Sequence, residues 1–120
     1  QCVVLDEPTA MLDPQGRREV LDTIERLNRE KGITVILITH HMDEAVRARR
    51  VIAMSEGKII ADGTPQQVFA QEKLLRSVGL DVPQTEQLLL ALRARGVDTP
   101  TDALTPGQCA RLLRQYIPAV

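Results

Sequence analysis

Two short aliphatic runs, separated by one amphipathic segment, constrain the fold of this chain more than any other feature. Residues 2–5 and 33–38 are rich in Val, Leu and Ile and are apolar on both faces, which is typical of buried parallel strands. Between them, Asp13-Pro14 predicts the start of a helix, and apolar residues recur at helical spacing until Gly32. A strand, a helix and a strand in this order predict a βαβ unit with parallel strands.

After the βαβ unit, the sequence predicts a short helix at 43–49, a hairpin and then only helices. The hairpin strands are expected at 51–54 and 58–61, around Ser55-Glu56-Gly57, with a further turn at Asp62-Gly63. Strand signals cease near residue 73, and helices are predicted at 74–78, 83–95 and 106–116. We therefore expect an α/β domain at residues 1–72 and an all-helical extension at residues 73–120.

Composition excludes several classes of protein. Hydrophobic residues make up 43% of the chain, which is enough for a packed core, whereas aromatic residues make up only 2%. The net charge is −1 and no basic stripe occurs, so we expect no nucleic-acid partner. No run approaches the ~18 apolar residues of a membrane span. Cys2 and Cys109 have no metal-ligand spacing, and both are predicted to be small core residues.

Charged and polar side chains follow both predicted strands of the βαβ unit. Asp6 and Glu7 come at the end of the first strand, and His40 follows the second. Because parallel strands end at the same edge of a sheet, these side chains can converge there. Ligands of open α/β sheets bind at that edge.

The residues around these positions resemble the motifs of ABC ATPases. The run 5–14, Leu-Asp-Glu-Pro-Thr-Ala-Met-Leu-Asp-Pro, resembles a Walker B segment with its D-loop, and Ile38-Thr39-His40 resembles the H-loop. Residues 57–65 are similar to the closing hairpin of the same domain. The resemblance implies a P-loop NTPase-type parallel sheet and Mg²⁺-dependent ATP hydrolysis.

The same resemblance assigns roles to four residues of this chain. It implies that Asp6 supports Mg²⁺ through water, that Glu7 is the general base, and that His40 contacts the γ-phosphate and the attacking water. It also places Asp13 in a D-loop that runs along the interface between two ATP sites. His41 is expected to be exposed and has no catalytic role in this interpretation.

Further segments are similar to one group of ABC ATPases, those of energy-coupling factor and cobalt or nickel importers. They are Met11, the run 40–45, the run 63–69 and the segment 79–84. This similarity implies a second ATPase subunit, as a homodimer or a heterodimer, and a transmembrane coupling protein. It further implies a peripheral position at the cytoplasmic face of the membrane and the import of a vitamin or a transition-metal ion.

No Gly-x-x-x-x-Gly-Lys-[Ser/Thr] segment occurs in the 120 residues. We therefore expect a C-terminal fragment whose Walker A and signature loops lie upstream, and we expect this fragment alone to be inactive. Residues 104–108, Leu-Thr-Pro-Gly-Gln, look like a signature loop, but they lie on the wrong side of Walker B, and a capping box at Thr105 and Gln108 explains them. The alternative functions are a non-catalytic remnant that docks on partner subunits and, less favoured, a soluble ABC ATPase.

Two apolar stripes in the predicted extension have two possible roles. The first comprises Leu88, Leu89 and Leu92, and the second comprises Leu112, Leu113, Tyr116 and Ile117. The stripes could pack on each other as a small core, or part of one stripe could contact the second ATPase subunit.

Overall fold

A computed structural model describes residues 1–117, which divide into two units after His41. The first unit contains β1 (Cys2–Asp6), α1 (Pro14–Lys31) and β2 (Thr34–Ile38). The second contains α2 (Met42–Ala45), β3 (Val51–Ser55), β4 (Lys58–Gly63), α3 (Pro65–Phe69), α4 (Glu72–Ser77), α5 (Gln84–Ala94) and α6 (Pro106–Leu113). Residues 118–120 of the predicted extension lie outside the described residues.

The first unit is the predicted βαβ unit. β1 and β2 are parallel neighbours, in register from Cys2 opposite Thr34 to Asp6 opposite Ile38. The helix between them ends at Gly32, whose φ of 64° is a left-handed conformation that glycine adopts without steric cost. The two strand ends that carry the predicted site residues are therefore side by side.

The strands of this unit are not buried, contrary to the prediction. Val4 in β1 is 59% exposed and Ile36 in β2 is 49% exposed. Within residues 1–117, β1 and β2 pair only with each other, and a sheet is buried only when other layers cover its faces. Cys2 is exposed for the same reason, so its prediction as a core residue is wrong, whereas Cys109 is buried as predicted.

The hairpin of the second unit forms as predicted but extends further. Glu56 and Gly57 both have positive φ, 50° and 73°, which is the backbone of the tight turns that join antiparallel strands. Asp62 does not begin a turn, because it belongs to β4 and accepts two hydrogen bonds from Arg50, at 2.8 and 2.6 Å. These bonds lower the pKa of the Asp62 carboxyl.

Two of the helices in this unit begin with the capping boxes that their sequences predict. The Thr64 and Thr105 side chains each accept a hydrogen bond from the backbone N–H of the Gln three residues later, and that Gln side chain accepts one in return. The helix predicted at 43–49 is observed as α2, which is shorter and ends at Ala45. The capping box thus accounts for the segment that looks like a signature loop.

One core joins the hairpin to the helical segment. Its buried members are Ala53, Ala61, Val68, Phe69, Leu75, Val82 and Leu104. The predicted boundary between residues 72 and 73 therefore falls inside the second unit, and the division into compact units comes after His41 instead. The core extends across this boundary because Val68 and Phe69 of α3 and Leu75 of α4 are buried in the same cluster. The boundary itself stays a prediction about domain organisation.

The two apolar stripes of the tail do contact each other. Leu89 is fully buried in a second core with Cys109, and Leu112 and Leu113 pack against it. Leu88, by contrast, is 46% exposed. None of the helices within residues 1–117 is both long enough and apolar enough to span a membrane.

Candidate functional site

The loop after β1 holds Glu7 in an unusual backbone conformation. The Glu7 N–H donates a hydrogen bond to the Ile38 carbonyl at 2.8 Å, so the parallel ladder extends one residue beyond Asp6. Glu7 then turns into the left-handed region with a φ of 48°, which costs a residue with a Cβ about 1–3 kcal/mol. Pro8 contributes to this turn because a following proline disfavours the right-handed helical conformation. Such strain is characteristic of functional sites.

Glu7 and His40 are in direct contact, as convergence of the strand ends predicts. His40 Nδ1 lies 2.8 Å from Glu7 Oε1, within hydrogen-bond distance. The side chain of His40 is 71% exposed, whereas that of Glu7 is only 33% exposed. The second carboxylate oxygen, Glu7 Oε2, is buried and has no hydrogen-bond partner within residues 1–117. One oxygen of Glu7 is thus held by the imidazole, and the other is buried without a partner in the described part of the chain.

His41 belongs to the same cluster, although the sequence interpretation gave it no role. Its ring lies 4.2 Å from the ring of His40, between centroids. Ligand atoms of Glu7, His40 and His41 all lie within 4.8 Å of one another, and His41 is half-buried rather than exposed. The signal that could have found it is the pair of adjacent histidines directly after a strand.

Asp6 and Asp13 are near this cluster in sequence but are not members of it. Asp6 is exposed at the end of β1. Asp13 is the N-cap of α1, and its Oδ1 accepts a hydrogen bond from the Gly16 N–H at 2.8 Å. Two turn hydrogen bonds, from Ala10 to Glu7 and from Leu12 to Thr9, connect the strand to this cap. The capping role of Asp13 is observed, and its role at a dimer interface stays a prediction.

Comparison with known proteins identifies relatives that match this chain over nearly its whole length, including the residues of the site. An energy-coupling factor transporter ATP-binding protein, EcfA1, of Caldanaerobacter subterraneus subsp. tengcongensis is 60% identical over 88% of this chain. EcfA1 proteins of Symbiobacterium thermophilum and Clostridium novyi are 54% and 49% identical over 95% and 96% of it. This chain is a homologue of energy-coupling factor transporter ATP-binding proteins. The match covers 38%, 40% and 41% of these relatives, so the chain spans about two fifths of their length.

A solved structure supports the same relationship at the level of the fold. It is that of cbiO1 from Clostridium perfringens, described as part of the ABC transporter complex cbiONQ. The two chains are 38% identical, with a TM-score of 0.55 over 74% of this chain and 36% of that one. No protein-family model matches the sequence. The resemblance to ABC ATPases of the energy-coupling factor group and the α/β fold class are thereby confirmed.

Proposed function

We propose that the intact protein is the ATP-hydrolysing subunit of an energy-coupling factor-like ABC importer, which takes up a vitamin or a transition-metal ion. The observation that carries this proposal is the 2.8 Å contact between Glu7 and His40 at the ends of two adjacent parallel strands. Identity of up to 60% with transporter ATP-binding proteins supports it. Open α/β sheets bind nucleotides at this edge.

In this proposal Glu7 is the general base of hydrolysis. Its side chain is 33% exposed, with Oε1 held by His40 Nδ1, and a water molecule bound beside Oε1 can give up a proton to the carboxylate. Transfer of that proton leaves a hydroxide that attacks the γ-phosphorus, and the bond to the ADP oxygen breaks. The fixed carboxylate orientation favours this step, since the left-handed backbone and the imidazole both hold Glu7 in place.

Asp6 is the residue proposed to hold Mg²⁺. Its exposed carboxylate at the strand end is a hard oxygen donor, and Mg²⁺ is commonly bound through one or two carboxylates together with substrate phosphates. When bound, the ion neutralises charge on the phosphate oxygens. The exposed position of Asp6 leaves room for intervening water molecules.

We propose that the partners are a second ATPase subunit and a transmembrane coupling protein at the cytoplasmic face of the membrane. A solved relative, cbiO1, is part of a transporter complex. Asp13 is proposed to lie along the interface with the second subunit, through the D-loop. In the tail, Leu88, Tyr116 and Ile117 are 46%, 42% and 62% exposed, and exposed apolar side chains of this kind are available to a partner.

Charging Leu88 tests the tail contact more cleanly than charging Leu113. Leu113 packs against the core around Leu89, so a charge there would disturb folding as well as association. We expect Leu88→Asp in the intact protein to weaken association with the second subunit, measured by sedimentation velocity. Unchanged association with an intact fold would limit the stripes to packing within their own core.

The base assignment is tested by Glu7→Gln in the intact protein. Loss of the base should lower the turnover number by about 10²- to 10⁴-fold while ATP binding persists. The matched control is Glu30→Gln, which changes an exposed carboxylate of α1 in the same chemical way. Normal turnover by the Glu7 variant would refute the assignment.

We also propose that the 120 residues alone do not hydrolyse ATP. Phosphate binding in this class rests largely on a Gly-rich loop and its Lys, and no such segment occurs in the sequence. The measurement is phosphate release by the isolated chain with Mg²⁺ and ATP. Release that disappears in the Glu7→Gln variant would contradict this proposal.

A further inference from the structure

The cluster of Glu7, His40 and His41 contains a third possible metal ligand, His41, that the proposed ATP hydrolysis does not use. The chain contains two histidines, and both lie in this cluster. From the positions of their ligand atoms we propose that these three residues bind a divalent transition-metal ion, of the class of Zn²⁺, Ni²⁺ or Co²⁺. This site differs from the Mg²⁺ position proposed at Asp6.

The donor chemistry selects the class of ion. Two imidazole nitrogens and one carboxylate oxygen suit Zn²⁺, Ni²⁺ and related ions, whereas Mg²⁺ prefers oxygen donors alone. Three protein ligands with a fourth position for water form a common arrangement for zinc. His41 is the residue that completes the set, because Glu7 and His40 alone would supply only two ligands.

The distances are compatible with this coordination after small rotations of side chains. Ligands about 2.1 Å from a tetrahedral ion lie about 3.4 Å apart. The three donors already lie within 4.8 Å of one another, so side-chain rotation must close at most about 1.4 Å. The contact between His40 Nδ1 and Glu7 Oε1, at 2.8 Å, would open slightly to admit the ion.

The backbone around the cluster holds its members in place without a metal. The Glu7 N–H is bonded to the Ile38 carbonyl at 2.8 Å, and the His41 N–H is bonded to Thr39 Oγ1 at 3.0 Å. Glu7 Oε2 is buried without a hydrogen-bond partner in the described part of the chain, and an unpartnered buried oxygen is costly. A rotation of the carboxylate that opens the contact between Oε1 and His40 would also bring this oxygen to the ion, where a metal ligand bond would satisfy it. The unpartnered oxygen is the second observation that favours a ligand here.

Metal binding would have a consequence for catalysis, and this consequence rests on the proposed function. An ion held by Glu7 and His40 occupies both groups that the proposed hydrolysis uses. A transition-metal ion would therefore inhibit ATP hydrolysis in the intact protein. The binding itself does not depend on that function.

The test is titration of the 120-residue chain with Zn²⁺ by calorimetry, without nucleotide. The exposed thiol of Cys2 is first replaced in a Cys2→Ser background, because a free thiol also binds zinc. We expect one ion per chain, and we expect His41→Ala and Glu7→Gln each to weaken affinity about tenfold or more. Glu30→Gln, the matched carboxylate control, should leave affinity unchanged.

Two further measurements separate loss of a ligand from loss of structure. His41→Cys restores a metal ligand at the same position and should recover most of the affinity that His41→Ala loses. Titration with paramagnetic Co²⁺ should broaden the imidazole signals of both His40 and His41 in the proton NMR spectrum at the same metal ratio. Unchanged zinc affinity in His41→Ala, or broadening of a single histidine, would overturn the proposal. Because ATP is absent, either result is independent of whether Glu7 is a general base.

Discussion

Glu86 carries a buried carboxyl group, and replacing this residue tests how burial of an ionisable group changes the free energy of unfolding with pH. It lies on α5, is only 2% exposed, and its Oε2 has no hydrogen-bond partner within residues 1–117. It lines a cavity of about 240 Å³ together with Glu72. Burial, and to a smaller extent the charge of Glu72, raises the pKa of the Glu86 carboxyl from 4.5 to about 7.

The raised pKa determines both the sign and the size of the expected effect. A folded state with a raised carboxyl pKa binds its proton more tightly than the unfolded chain, so this contribution to stability is full below about pH 4.5 and is lost as the pH rises through about 7. At about 1.4 kcal/mol for each tenfold change in proton affinity, the loss is about 3 kcal/mol at most. Water in the cavity would reduce it, so we expect about 1–3 kcal/mol.

Glu86→Gln removes the ionisable group while keeping its shape. We expect the variant to be more stable than the parent chain by about 1–3 kcal/mol near pH 8 and to have nearly the same stability near pH 5. The assay is urea unfolding followed by circular dichroism at 222 nm across this range. Glu56→Gln, at an exposed position in the hairpin of the same unit, is the matched control and should show no such pH dependence.

A stability difference between Glu86→Gln and the parent chain that does not change between pH 5 and pH 8 would refute the reasoning. A variant less stable than the parent near pH 8 would refute it more directly. That result would mean that the ionised Glu86 is stabilised in the fold.

Three other substitutions, one of them with a matched control, test local features of the fold by the same unfolding assay. Asp13→Ala removes the N-cap of α1 and should cost about 1 kcal/mol, and no loss would show that the cap bond to α1 is dispensable. Leu89→Ala empties a fully buried position and should cost about 2–5 kcal/mol, whereas a cost below 1 kcal/mol would contradict its place in a packed core. Gly63→Ala would place a Cβ 2.5 Å from Gln67 Oε1 and disturb the capping box, so it should destabilise by about 1 kcal/mol. Gly107→Ala, which meets nothing within 4 Å, should be neutral or stabilising, and equal effects of the two substitutions would refute the steric argument.

The sequence could predict features that depend on a few neighbouring residues. Asp13-Pro14 and the Thr-Pro-x-Gln segments at 64 and 105 specify helix starts, because a capping bond is made within four residues of chain. The same locality explains why the hairpin turn at Glu56-Gly57 was predictable. Convergence of Glu7 and His40 followed from the βαβ topology, since parallel strands end at one edge.

Features that depend on distant packing were predicted poorly. His41 was expected to be exposed and was found half-buried in the cluster, because it lies beside Glu7, which is distant from it in the sequence. The strands were expected to be buried, but most of their residues are exposed. An apolar sequence shows that a strand can be buried, but it does not show which layers of the fold cover it. The raised pKa of Glu86 had no signal in the sequence either, since it arises from helices that pack around it.

The sequence by itself determined the order of strands and helices, the caps of α1, α3 and α6, and the positions of Asp6, Glu7 and His40 at strand ends. These follow from hydrogen bonds and side-chain periodicity over short stretches of chain. Only the tertiary structure decided that His41 joins Glu7 and His40, that Glu86 is buried beside Glu72, and that one core extends across residues 72 and 73. The physical reason is that burial, desolvation and contact between side chains are set by segments that are distant in the sequence and close in space.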